Sequence, residues 1–229
     1  IMSGCSRNAG LVAVYDPMAL VPVRRWYDKA LPCPPPIDRS ADERMHIAII
    51  SASVREGRKS HRVALHLERA LQASSHTADL LDLSVFDFPL FHERLKFQKE
   101  PAPATVEFAE RVRKADGVII VTPEDNGSFP ASLKNVIDLL TEDWKGRPAS
   151  ICTVSDGAFA GTQAMAQLVF PLWKIKAWVV PSSLQVPKVH EAFDEQGHPV
   201  DTEGWDRRTK VFLDELAWAI EAKRRMADR

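Results

Sequence analysis

Three polar stretches of this chain carry the residue types that hold an anion or a flat ring. The first, Ser51-Ala52-Ser53-Val54-Arg55-Glu56-Gly57-Arg58-Lys59-Ser60, places hydroxyls, guanidiniums, a lysine and a glycine just before a run of helical periodicity. The free amides and dipole of a helix start favour an anion, and hydroxyls add donors. Arginine can fork onto phosphate oxygens. A phosphate is the natural guest. A capped, solvated helix start has a similar composition and is the plainer alternative.

The second stretch, Pro123-Glu124-Asp125-Asn126-Gly127-Ser128, follows the apolar run Val118–Val121 and precedes a helix with Pro130 near its start. Its asparagine and glycine tolerate unusual backbone angles and present amides to the edge of a heterocycle. The third, Ser155-Asp156-Gly157-Ala158-Phe159-Ala160-Gly161-Thr162, again couples small residues to a helix start. Together, three such loops offer a phosphate site at one end and a ring site at the other. Rival phosphate motifs fit poorly. The first loop has no GxG for a dinucleotide fingerprint, and Gly57-Arg58-Lys59-Ser60 imitates only the end of a P-loop.

Other chemistries find little support. Cys5, Cys33 and Cys152 form no CxxC pair, and no histidine pair has HxxxH spacing, so zinc and disulfide frameworks are not expected. Cys152, inside an apolar run, reads as a small buried hydrophobe. A formal net charge of −1 gives no basic footprint for nucleic acid. No run approaches the roughly 18 apolar residues of a membrane span, and a cytoplasmic location is expected.

The elements that must position these loops alternate in type. Strands are expected at His46–Ser51, His76–Leu83, Gly117–Thr122, Ala149–Val154 and Trp178–Pro181. Helices are expected near Ser60–Ala73, Ala104–Lys114, Pro130–Leu140, Thr162–Lys174 and Asp201–Met226, with a long connection over Ser84–Pro103. This alternation implies an α/β fold, a doubly wound five-stranded parallel sheet of order 2-1-3-4-5 with helices on both faces. All three polar loops then share the carboxyl edge of that sheet. Residues 1–44 differ, with clustered prolines and no sustained period. They read as a Pro-rich extension, an arm on a partner subunit or a non-native leader, ahead of a domain spanning 45–229.

The quoted loops resemble the NAD(P)H-dependent FMN reductases of the flavodoxin-like fold. Ser53, Arg55 and Ser60 match the family's first loop. Pro123, Glu124, Asn126, Gly127, Ser128, Pro130, Leu133, Lys134 and Asn135 match its long central motif, and Ser155 and Gly157 its third loop. The resemblance implies an FMN enzyme that takes hydride from NADPH or NADH and reduces a small acceptor such as a quinone, azo compound or free flavin. It assigns the phosphate to Ser53, Arg55 and Ser60, and the ribityl chain and ring to Pro123, Glu124, Asp125, Asn126, Gly127, Ser155, Asp156 and Gly157. Arg58 joins the phosphate set from the loop's charge alone.

No catalytic acid or base is nominated, because the chemistry belongs to the cofactor. The family further implies a homodimer or homotetramer, with Phe88-Pro89-Leu90-Phe91 and Trp144 or Trp173 as candidate contacts. A flavodoxin-type electron carrier and a flavin-free binding module remain the alternatives. Ala52 stands where the family commonly has Gly, and Asp125 where it has Tyr. Asp125 is expected to face solvent, with the turn's contacts made by backbone. Were it beside the ring, its charge would lower the flavin's reduction potential.

Overall fold

Alternation along β1 (His46–Ser51) divides the core. Ile47 and Ile49 enter one apolar cluster, and Ala48 and Ile50 enter the other. Successive strand side chains point to opposite faces, so a strand covered on both sides must be apolar throughout. β3 (Gly117–Pro123) and β4 (Pro148–Val154) repeat the pattern and are buried along almost their whole length. Each fully buried Val, Ile or Leu contributes roughly 1.5–3 kcal/mol.

The computed structural model describes residues 44–227. The Pro-rich extension read from residues 1–44 therefore falls, apart from Arg44, outside the described residues, as do Cys5 and Cys33. From β1 the chain runs through α1 (Ser60–Ala73), β2 (Thr77–Asp82), a helical turn α2 (Leu83–Phe86) and a 3-10 turn at Leu95–Phe97. It continues through α3 (Pro103–Lys114), β3, α4 (Ala131–Leu139), β4 and α5 (Thr162–Lys174). Then follow β5 (Trp178–Val179), β6 (Leu184–Val186), a short α6 (Val189–Ala192) and the long α7 (Thr202–Ala227).

All the strand pairings are parallel and follow the order β2-β1-β3-β4-β5, with β6 also on β4. The expected flavodoxin-like, doubly wound sheet is present. Helices α1 and α7 cover one face, and α3, α4 and α5 cover the other.

Two expectations need correction. The fifth strand is shorter than the expected span ending at Pro181, and its place beside β4 is shared. Trp178–Val179 pairs with Pro148–Ala149, and Leu184–Val186 resumes against Cys152–Val154. Pro181 has no N–H to give a ladder, which suits the break. Trp144, offered as a subunit contact, has no exposed surface and belongs to the core under α4. Trp173 does lie on the surface, tilted against Phe170 at 6.1 Å between ring centroids. Phe88 is half-buried, stacked on Phe86 and edge-on to Phe108. Cys152 is fully buried, and burial pushes its thiol pKa far up, as a small core hydrophobe would show.

Candidate functional site

The carboxyl ends of β1, β3 and β4 open into the three polar loops, which the parallel sheet brings to one edge. The first loop is anchored from beneath. The Ala52 amide donates to the Val121 carbonyl at 2.9 Å, and the Ser132 hydroxyl donates to the Ala52 carbonyl at 2.7 Å. Ala52, the position where the family commonly has Gly, is wholly buried. Ser53 and Ser60 are buried as well. Ser60 opens α1, and its Oγ has no hydrogen-bond partner although it is shielded from solvent. A buried hydroxyl left unpaired costs free energy, so a ligand that pairs it gains by the difference.

The three cations of this loop have different occupations. Arg58 turns inward, where its guanidinium pairs with Asp82 at the end of β2 and donates to the Ser53 carbonyl at 3.0 Å. Both partners of that ion pair are largely shielded, at 18% and 14% side-chain exposure. Lys59 bonds both oxygens of Asp156 in the third loop, at 2.7 and 3.0 Å. Arg55 stays 75% exposed, with its Nη1 3.7 Å from Asp125 in the second loop. Beneath them, the Ser51 hydroxyl meets His61 Nδ1 at 3.1 Å. Burial lowers the His61 pKa, partly opposed by Asp82.

The second loop is a tight turn. Asp125 and Ser128 exchange backbone hydrogen bonds of 2.8 and 3.0 Å. Asn126 and Gly127 between them take φ of +50° and +77°. The left-handed angle at Gly127 favours glycine there. Glu124 points along the turn to α5, where its carboxylate accepts from the amides of Gln163 at 3.0 Å and Ala164 at 3.2 Å. That places a negative charge on unpaired amides at a helix start. Asparagine 135 of the central motif is spent on scaffolding. It accepts from the Phe91 amide at 2.5 Å and donates to the Pro89 carbonyl at 2.9 Å, pinning the connection after α2.

In the third loop the Ser155 hydroxyl donates to the Gly157 carbonyl at 2.9 Å. Asp156 also accepts from His190 Nδ1, in the first turn of α6, at 2.7 Å. The bonds from Lys59 and then His190 hold its carboxyl below the usual range. Sequence reasoning missed the Lys59–Asp156–His190 clasp and the role of Asp82. Residue types identified the groups, but partners 97 and 34 positions apart give no local signal.

The sequence profile described as NADPH-dependent FMN reductase matches residues 45–191. The chain belongs to that family. A quinone reductase of Escherichia coli (strain K12) is 38% identical over 131 residues, covering 55% of this chain and 68% of that protein. An NAD(P)H-dependent FMN reductase of Saccharomyces cerevisiae is 31% identical over 150 residues, covering 59% and 78%. The flavoenzyme NAD(P)H:(acceptor) oxidoreductase of Paracoccus denitrificans superposes with a TM-score of 0.65 at 22% identity. It covers 77% of this chain and 98% of its own, a likeness that establishes the fold.

The family uses FMN with NAD(P)H as co-substrate, and this reductase is an oxidoreductase of that kind. Its loops fit the cofactor. The unpaired Ser60 hydroxyl and the exposed Arg55 suit a phosphate. A Cβ at Gly57 or Gly157 would meet nothing within 4 Å, so the first and third loops each have open space at their glycine. Asp125 lies at the rim of the second loop. Its side chain is 31% exposed and faces Arg55 across the loops. Among the described residues, no helix is long and apolar enough to cross a membrane.

Proposed function

We infer that the reductase holds FMN across its three loops and reduces a small acceptor, with a quinone or free flavin as the class. The observation that carries this reading is the Ser60 hydroxyl, buried and unpaired at the start of α1 where an anion is favoured. Ser53, Arg55 and Ser60 bind the phosphate together with the amides entering α1. Arg58 acts one step removed, holding the loop's curve through Asp82 and the Ser53 carbonyl.

Backbone from Pro123 to Gly127 and from Ser155 to Gly157 flanks the ribityl chain and ring. Glu124 and Asp156 spend their carboxylates on fixing those turns. The chemistry that FMN supplies when bound is hydride uptake from the nicotinamide and delivery of electrons to the acceptor. The chain binds, orients and shields.

The domain spanning 45–229 is the reductase unit, and the protein works as a homodimer or homotetramer. Trp173, Phe170 and Leu90 are exposed apolar side chains available to such an interface. A flavodoxin-type carrier would dock protein partners through a strongly charged surface, which a net charge of −1 does not provide.

Titrating the purified protein with FMN, then following NADPH and NADH oxidation with a panel of acceptors, tests this reading. Flavin absorbance with turnover on either nucleotide supports it. Bound FMN without turnover would indicate a carrier, and no FMN binding would indicate a flavin-free module.

A further inference from the structure

We propose that Asp125 is an internal competitor for the flavin phosphate, acting through Arg55, and so sets how tightly this chain holds FMN. The proposal rests on the placement of the phosphate at the first loop. Of that loop's cations, Arg58 is committed to Asp82 and the Ser53 carbonyl, and Lys59 to Asp156. Arg55 is left for an incoming anion. Its partner among the described residues is Asp125, at 3.7 Å, and its side chain is three-quarters exposed.

Asp125 holds its place without that contact. Backbone bonds to Ser128 close its turn, with Asn126 and Gly127 in left-handed conformations at the apex. The turn's backbone therefore keeps Asp125 within reach of Arg55 with or without a guest. A phosphate that recruits Arg55 must displace the pairing, or share the guanidinium with a second anion nearby. Either route weakens binding, and both act on the phosphate alone. A neutral residue at position 125 would remove the competitor and leave the backbone turn intact. Exposed pairs of this kind are weak, so the effect is a modest change in affinity and not an on–off switch.

The test compares FMN with riboflavin, which has the same ring and ribityl chain without the phosphate. Binding is read by fluorescence quenching on the full-length apoprotein at low ionic strength. Asp125→Asn should tighten FMN by about 2- to 5-fold, leaving riboflavin unchanged. The gain should shrink as salt is added. Arg55→Gln should weaken FMN, and Asp125→Asn should add nothing in that background, the signature of two residues acting as one unit. Asp125→Ser repeats the measurement with a side chain unable to mimic the carboxylate's reach.

Unchanged or weaker FMN binding in both Asp125 variants would overturn the proposal, as would an equal gain for riboflavin. A gain that survives in the Arg55→Gln background would also overturn it, by locating the repulsion elsewhere. Wild-type protein that binds FMN no better than riboflavin would instead refute the phosphate site itself.

Discussion

Two ties join the first loop to its neighbours, and they differ in kind. On one side Lys59, Asp156 and His190 form a three-membered clasp, with contacts of 2.7 to 3.0 Å reaching from the first loop to the third and to the start of α6. On the other side a single guanidinium stands 3.7 Å from a single carboxylate, between the first and second loops. In the clasp one carboxylate accepts from two side chains, Lys59 and His190. The Arg55–Asp125 contact leaves both groups with spare hydrogen-bonding capacity. The same loop thus has a fastened edge and a yielding one, and under the FMN placement proposed above the phosphate meets the yielding edge.

The contrast depends on the inward anchor beneath both ties, and removing that anchor should have the largest effect. Arg58→Met strands Asp82 in a largely shielded position and frees the Ser53 carbonyl. Urea unfolding should show a loss of about 3 kcal/mol. A loss below 1 kcal/mol would mean that the loop is held otherwise, and that Arg58 is as free as Arg55.

Glu124→Gln comes next. Removing the charge from the α5 amides should cost about 1 kcal/mol in the same experiment. The second loop should loosen without any change in the Lys59 clasp. An unchanged midpoint would show that the turn is fixed by its backbone bonds alone.

Acid gives a gentler probe. Burial lowers the pKa of His61, under the first loop, and of His66, which shares a 2.9 Å bond with Thr209 on α7. The unfolded chain takes up protons near the ordinary value of 6.5 while the folded chain stays neutral. Stability is therefore full above that pH and falls as pH drops through the folded values. Unfolding measured between pH 7.5 and 5 should follow this trend, and His66→Gln should flatten it.

The smallest effect is expected for Asp156→Asn. The carboxylate is 59% exposed, so the clasp contributes no more than about 0.5 kcal/mol. Its depressed pKa makes that contribution present above the ordinary carboxylate range and lost as pH falls through the folded value. A cost above about 1 kcal/mol would show the clasp to be stronger than an exposed pair supplies and would widen its contrast with Arg55–Asp125.

Much of the fold was legible because periodicity reports burial directly. The spans of β1, α1 and α5 coincide with those expected, since Ile47, Ile49 and Ile50 or Val63, Leu67 and Leu71 state which face is inside. β6 was missed because Leu184–Val186 is three residues long and lies between Pro181 and Pro187, too short to show a period. Trp144 was misread because an aromatic residue in sequence looks the same in a core as at an interface.

At the site, the loops and their edge were legible from composition. The division of labour within them was not. Arg55, Arg58 and Lys59 are close neighbours of similar charge, and only the distant Asp125, Asp82 and Asp156 distinguish them.

The interrupted strand beside β4 also bears on how this sheet meets other chains. An edge strand presents a row of unpaired backbone groups that a foreign strand can extend. Here one margin consists of runs of two and three residues broken at Pro181, too short to template a ladder. At the opposite margin Arg111 reaches over β2, bonding Asp79 and donating to the Leu80 carbonyl at 3.2 Å. One border is fragmented and the other has an arginine seated on a strand carbonyl, so the fold resists growing into a continuous cross-strand aggregate.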